Sequence, residues 1–238
     1  MFIRMGLYGR VRWKKPWLSK KHIAARQKWA GAHSFETMMF WRRMVFSDES
    51  KFNLFGSDGK LYCRRRVGEA LLERNVKKVV KHGGGNIQVW GCITWDGPGR
   101  LHRVEGRMNA VQFCDILSES LLGSLADYEL EPRDVVFQQD NDPKHTSKLA
   151  KKWFKDHKLE LLPWPASSPD MNIIENVWDT VDARVRARKP LPRNLEELWE
   201  ALQEEWAKLD LAYIRHLYES MPRRVNALWT ARGKYTKY

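Results

Sequence analysis

Asp134-Val135-Val136-Phe137-Gln138-Gln139-Asp140-Asn141-Asp142-Pro143 is a short apolar run that ends in acid and then turns at a proline. The spacing predicts a buried strand over 134–139, with Asp140 at its end. A carboxylate in that position is costly unless it is paired or bound to a cation. Asp142 lies two residues on and competes for the same face, although Pro143 turns the chain there. A second apolar run, Met44-Val45-Phe46, predicts a strand over 43–47 leading into Asp48. Glu49 is the neighbour of Asp48, and alternation along a strand sends it to the opposite face. After Ser168-Pro169-Asp170, residues Ile174, Val177, Trp178, Val181 and Val185 recur at helical spacing, and Glu175 sits beside that stripe. Asp179 and Asp182 continue its flank and remain open rivals. Residues 141 through 174, 34 in number, separate Asp140 from Glu175. Two strand-end carboxylates and a third on a helix can meet at one point. Mg²⁺ suits such a place, because it takes one or two carboxylates and fills its other positions with water and phosphate. Two such ions serve phosphodiester chemistry.

Four segments, Ser47-Asp48-Glu49-Ser50, Lys81-His82-Gly83-Gly84-Gly85, Gln139 through Ser147 and Ser168 through Trp178, resemble the signature segments of Tc1/mariner DNA transposases. The resemblance is to the Tc1-like branch, whose D-D-E triad has 34 residues between its last two acids, and it runs from about Lys14 to Tyr238. It implies an RNase H-like (retroviral integrase-like) α/β fold, a mixed sheet flanked by helices with a basic N-terminal arm. It places Asp48 on the first strand, Asp140 on the fourth and Glu175 on a later helix. It makes these three the catalytic and metal-binding residues, for two Mg²⁺ ions with Mn²⁺ able to substitute. It implies hydrolysis at transposon ends, then attack of the freed 3′-OH on target DNA at TA. A homodimer, double-stranded DNA as partner and a nuclear location follow from the same resemblance, with no membrane and no small-molecule cofactor. Ile173 departs from the family, which usually has Pro there.

The rest of the chain fits a DNA-handling enzyme. Its 238 residues are long enough for a real core, and a hydrophobic share of 43% with 12 Trp argues against disorder. No apolar run reaches membrane-spanning length. The net charge of +13 points to a polyanionic partner. Cys63, Cys92 and Cys114 form no C-x-x-C pair and read as structural thiols. No acid precedes Glu36, so residues 1–40 read as a basic arm with a helix over 19–32 capped by Ser19, and 41–238 as the catalytic domain. By resemblance the arm is the junction to helix-turn-helix modules expected to be missing. Arg12, Lys14, Lys15, Lys20 and Lys21 in the arm are candidate phosphate contacts. So are Lys81, His82, Gly83 and Gly84 in the glycine-rich box, His145, and Arg184, Arg186 and Arg188 after the Glu175 helix. Arg64-Arg65-Arg66 and Arg74-Lys77-Lys78 add to them. A solvated basic face, or for His145 an ordinary hydrogen-bonded loop histidine, is the plain alternative.

A hairpin partner is expected over 60–64, strands over 86–95 and 101–105, a helix over 109–125, a helix over 146–157, a strand over 159–162 and a last helix from Leu195. Most tryptophans fall in apolar patterns and read as core. Two other functions stay open on sequence alone: a DNA-binding remnant without catalysis, and a general nuclease of the same fold.

Overall fold

The computed structural model describes residues 15–55 and 84–238. The expected hairpin over 60–64, the clusters Arg64–Arg66 and Arg74–Lys78, Cys63, Arg12, Lys14 and Lys81–Gly83 lie outside the described residues.

The central strand β1 (Met44–Asn53) pairs antiparallel with β2 (Asn86–Thr94) on one side and parallel with β5 (Val136–Gln138) on the other. On the β2 edge lie two short strands, β3 (Gly97–Pro98) and β4 (His102–Val104). On the β5 edge lies β6 (Glu160–Leu161), giving the order β3-β2-β1-β5-β6 with β4 also on β2. The strands expected over 86–95 and 101–105 are β2 and β4, the two-residue β3 lies where a turn was expected, and Asp140 follows the fifth described strand and not the fourth.

Beyond the sheet come α1 (Lys20–Ala32), α2 (Met38–Arg42), α3 (Ala110–Ile116), a π turn over Leu117–Leu121, α4 (Leu122–Asp127), α5 (Lys148–Asp156), α6 (Ile174–Ala187), α7 (Leu195–Ala207), α8 (Leu211–Glu219) and α9 (Met221–Thr230). Helix α7 is not the last, as the sequence reading had it. Asp210 caps α8 by accepting from the Ala212 N–H, and Pro222 occupies the first turn of α9, where no N–H is needed.

Each face of the sheet carries its own core. Phe46, Ile93, Val177, Trp178, Trp206 and Tyr218 fill one, against α6 to α9. Val45, Trp90, Cys92, Phe113, Leu117 and Phe137 fill the other, against α3 to α5. Val45 and Phe46 go to opposite sides, as strand alternation requires. Burial pushes the Cys92 thiol up to about 12, in keeping with a structural role. No helix among the described residues is long and apolar enough to cross a membrane.

Helix α1 begins as read: the Ser19 hydroxyl accepts from the His22 N–H at 3.1 Å. Its inner face then joins the core through Trp29 and Ala30. Arg26, a member of the basic run, is only 1% exposed and does not face solvent. It makes a two-pronged ion pair with Asp170, at 2.7 Å for each bond. It also donates to Ser168 Oγ and to the carbonyls of Ser167, Gly233 and Lys234. One guanidinium therefore ties α1, the turn before α6 and the C-terminal segment together.

Candidate active site

The register of the sheet sets the two aspartates side by side. Phe46 on β1 pairs with Gln138 on β5, so two residues further along each chain bring Asp48 and Asp140 to the same level. Asp48 is not at a strand end, as expected, but in the middle of β1. The strand runs on through Glu49, Ser50 and Lys51 because β2 continues to pair with it as far as Asn53. Only the parallel neighbour stops, and that opens a cleft beside Asp48.

Helix α6 brings in the third acid. Asp48 pairs with Gly91 on β2. A Cβ at Gly91 would stand 2.8 Å from Trp178 and 3.1 Å from Trp206, so the missing side chain lets these stacked indoles lie on the sheet. That contact sets α6 against β1, with Glu175 in its first turn. Asn172 reinforces it: its Nδ2 donates to the Ser47 carbonyl at 3.2 Å, and its own carbonyl accepts from the Glu175 N–H at 3.3 Å. Ile173 takes φ −71°, within the range a proline would fix, which explains how it fills a position the family gives to Pro.

The electrostatics show carboxylates crowded together. Asp48 is held well above the ordinary carboxylate range, first by burial and then by the charges of Glu175, Glu49 and Asp140. Glu175 is raised as well, by burial and by Asp179, with the neighbouring Asp48 carboxyl pulling the other way. Asp140 is different. Burial would raise it, but hydrogen bonds from His145 and the Asp142 N–H bring it below its usual value. Among the described residues, no three acidic, imidazole or thiol groups converge into a ready ion cage. A hard cation needs less than that, since one or two carboxylates with water and phosphate suffice. The donor set fits such an ion: Asp48, Asp140 and Glu175 line one open cavity of about 410 Å³ together with Gln138, Trp164 and Asn172. Gln138 Nε2 and Asn172 Oδ1 are buried there with no protein partner, a condition that calls for one from water or ligand.

The other candidates sort by surroundings. Lys20 and Lys21 are exposed on α1, while Lys15 bonds to the Tyr238 carbonyl. Gly84 has φ +68°, and a Cβ there would strike the Phe55 ring, so glycine is needed whatever the box binds. His145 is buried, bonded to Asp140 at 2.6 Å and to Glu49 at 3.0 Å. Burial would lower its pKa, but the two carboxylates raise it to about 9. Arg184 donates to the Lys208 carbonyl, Arg186 to the carbonyls of Asn53 and Leu54, and Arg188 to Glu204 and Glu205. All three are thus engaged within the fold. Asn172, Gln138 and Lys144 were not singled out by sequence, and Glu49 was weighed there only as a rival to Asp48. Glu49 does face away from Asp48, as alternation predicts, yet it reaches Asp140 through His145, a partner 96 positions away.

Comparison with known proteins shows the family. Residues 43–199 match the model of the DDE superfamily endonuclease family. The chain is 40% identical over 235 residues to the Transposable element Tc1 transposase of Caenorhabditis elegans, covering 98% of this chain and 84% of that protein. It is 42% identical over 233 residues to the Tcb2 transposase of Caenorhabditis briggsae, with the same two coverages. A Mos1 transposase paired-end complex with left transposon end superposes with TM-score 0.82 at 20% identity, over 99% of this chain and 70% of that one. The catalytic domain of Mos1 mariner transposase superposes with TM-score 0.73 at 16% identity, over 94% of this chain and all of that domain. The fold is RNase H-like, and the chain belongs to the DDE superfamily endonucleases, as a transposase of the Tc1/mariner type.

Proposed function

We propose that this chain cuts DNA strands at the ends of a mobile element and joins the freed 3′-OH to target DNA at TA, with Asp48, Asp140 and Glu175 as its catalytic residues. The observation that carries the reading is the shared level of Asp48 and Asp140 across the parallel strands, with Glu175 lining the same cavity. Asp48, Asp140 and Glu175 would be the residues that hold the ions. Bound Mg²⁺, or Mn²⁺ in its place, supplies activation of the attacking oxygen and neutralises charge on the leaving one. The protein orients Asp48 and Glu175 from rigid elements, a strand and a helix, and keeps the cavity open to a phosphodiester backbone. No side chain has to form a covalent bond to DNA. Solved Mos1 complexes with Mn and with Mg support the choice of ions. The transposon-end DNA of the Mos1 paired-end complex supports double-stranded DNA as substrate. The exposed Lys20 and Lys21 are the described arm residues best placed to meet phosphates, and residues 1–40 would act as a basic approach to a catalytic domain over 41–238. The enzyme works as a dimer in the nucleus, where its substrate lies.

The test is cleavage of a supercoiled plasmid and joining of a pre-nicked end in Mg²⁺, comparing wild type with Asp140→Asn. Activity lost in the variant with DNA affinity kept is the expected result. Equal activity in both proteins would overturn the assignment, and binding without cleavage in both would favour a DNA-binding remnant.

A further inference from the structure

We propose that Glu49 is a positioning residue that holds Asp140 in place through His145. The inference rests on the reading of Asp48, Asp140 and Glu175 as the cation site.

Asp140 has left β5 and its side chain is 57% exposed, so the sheet itself does not fix its carboxylate. Two donors hold it, the Asp142 N–H at 3.0 Å and His145 Nδ1 at 2.6 Å. The first belongs to the same turn and moves with it. The second comes from a ring that is anchored elsewhere. His145 lies against Phe113, with ring centroids 4.2 Å apart. Its carbonyl accepts from Gln139 Nε2, and its N–H donates to the Asp142 carbonyl. An imidazole held at its backbone can still rotate about χ angles, and its far nitrogen decides whether it does. That nitrogen, Nε2, is bonded to Glu49 Oε1 at 3.0 Å. The other Glu49 oxygen faces Lys144 Nζ at 3.6 Å, and Lys144 also pairs with Asp142 at 2.9 Å.

Glu49 belongs to β1 and adjoins Asp48 in sequence. The relay Glu49–His145–Asp140 therefore ties the loop carboxylate to the same strand that carries Asp48. The separation of the two aspartates is then set by the central strand and not by the Asp140 turn alone. Glu49 is itself ill placed to be a ligand, since both its oxygens are engaged and its side chain is only 12% exposed. Outer partners of this kind orient ligating groups, and their loss typically costs about 10–100-fold in metal affinity.

The experiment is Mn²⁺ titration of the full chain by calorimetry, without DNA, for wild type, Glu49→Ala, Glu49→Gln and Asp48→Asn. Glu49→Ala is expected to weaken Mn²⁺ binding by about 10–100-fold. Glu49→Gln, whose Oε1 still accepts from His145, is expected to restore it. Should Glu49→Ala not fold, Glu49→Asp, one methylene short of the ring, is expected to show the same weakening. Unchanged binding in Glu49→Ala, with binding lost in Asp48→Asn, would overturn the relay alone. Glu49→Gln as impaired as Glu49→Ala would also overturn it, because charge and not the hydrogen bond would then matter. Unchanged binding in Asp48→Asn would overturn the cation site and the relay together.

Discussion

Replacing Arg26 by Met should destabilise the fold far more than its place in a basic arm would suggest. The guanidinium is 1% exposed, and the Asp170 side chain it pairs with is 8% exposed. Two bonds of 2.7 Å join them, and four further acceptors take the remaining N–H groups. Methionine keeps much of the volume but strands Asp170, which retains Thr236 Oγ1 as a donor to its carboxylate. Breaking one partner of a buried pair costs about 3–5 kcal/mol. For a chain of this size each kcal/mol moves the midpoint by about 2–4 °C, so Tm should fall by roughly 6–20 °C. The assay is thermal and urea unfolding followed by circular dichroism. Arg26→Met, Asp170→Asn and the double variant complete a cycle, in which the second substitution should cost much less once the first is made. A loss below about 1 kcal/mol, the range of exposed pairs, or strict additivity would refute the reasoning.

Three further outcomes follow from the site and its supports. Asp48→Asn should raise Tm in EDTA. Its folded-state pKa is raised by burial and neighbouring acids, so between the ordinary carboxylate range and that raised value the folded chain keeps a proton that the unfolded chain has released. Stability falls as pH climbs through that window; the fall should shrink in the Asn variant and be offset by Mn²⁺ in wild type, and equal pH profiles for the two proteins would contradict it. Gly91→Ala should cost about 1–3 kcal/mol by urea unfolding, because its methyl meets Trp178 and Trp206; a neutral result would show that the indoles can shift. Lys20→Ala with Lys21→Ala should weaken DNA binding evenly across sequences and lower the log–log salt slope by about 1 per residue, whereas an unchanged slope would place the arm away from DNA.

Much of this site could be read from the chain. The apolar run before Asp140 and the helical stripe around Glu175 narrowed the acids to a few, among which the family resemblance and not the pattern set aside Asp142, Asp179 and Asp182, and the stripe residues Ile174, Val177, Trp178, Val181 and Val185 are all buried. What escaped depended on partners distant in sequence. β1 was read as ending at Ser47 because Asp48 through Lys51 are polar, and only pairing with β2 carries it to Asn53. Arg26 looked like one more cation in a basic run, because its partner Asp170 stands 144 positions away. Glu49 was correctly sent to the far face, yet nothing local shows that His145 waits there. Arg184, Arg186 and Arg188 read as a basic cluster and turn out to brace α6 and its neighbours. Charge in a sequence gives composition; whether it faces DNA or the fold depends on what the tertiary structure sets opposite it.

The most direct measurement compares Mg²⁺-dependent strand transfer of a pre-nicked DNA end by Glu175→Gln, Asp179→Asn and Asp182→Asn, the three acids along one flank of α6. Glu175→Gln alone should abolish transfer while all three bind DNA alike, since Glu175 is the one of the three that lines the cavity with Asp48 and Asp140. Transfer that survives in Glu175→Gln and vanishes in Asp179→Asn would contradict the assignment of the third carboxylate and, with it, the geometry proposed for the site.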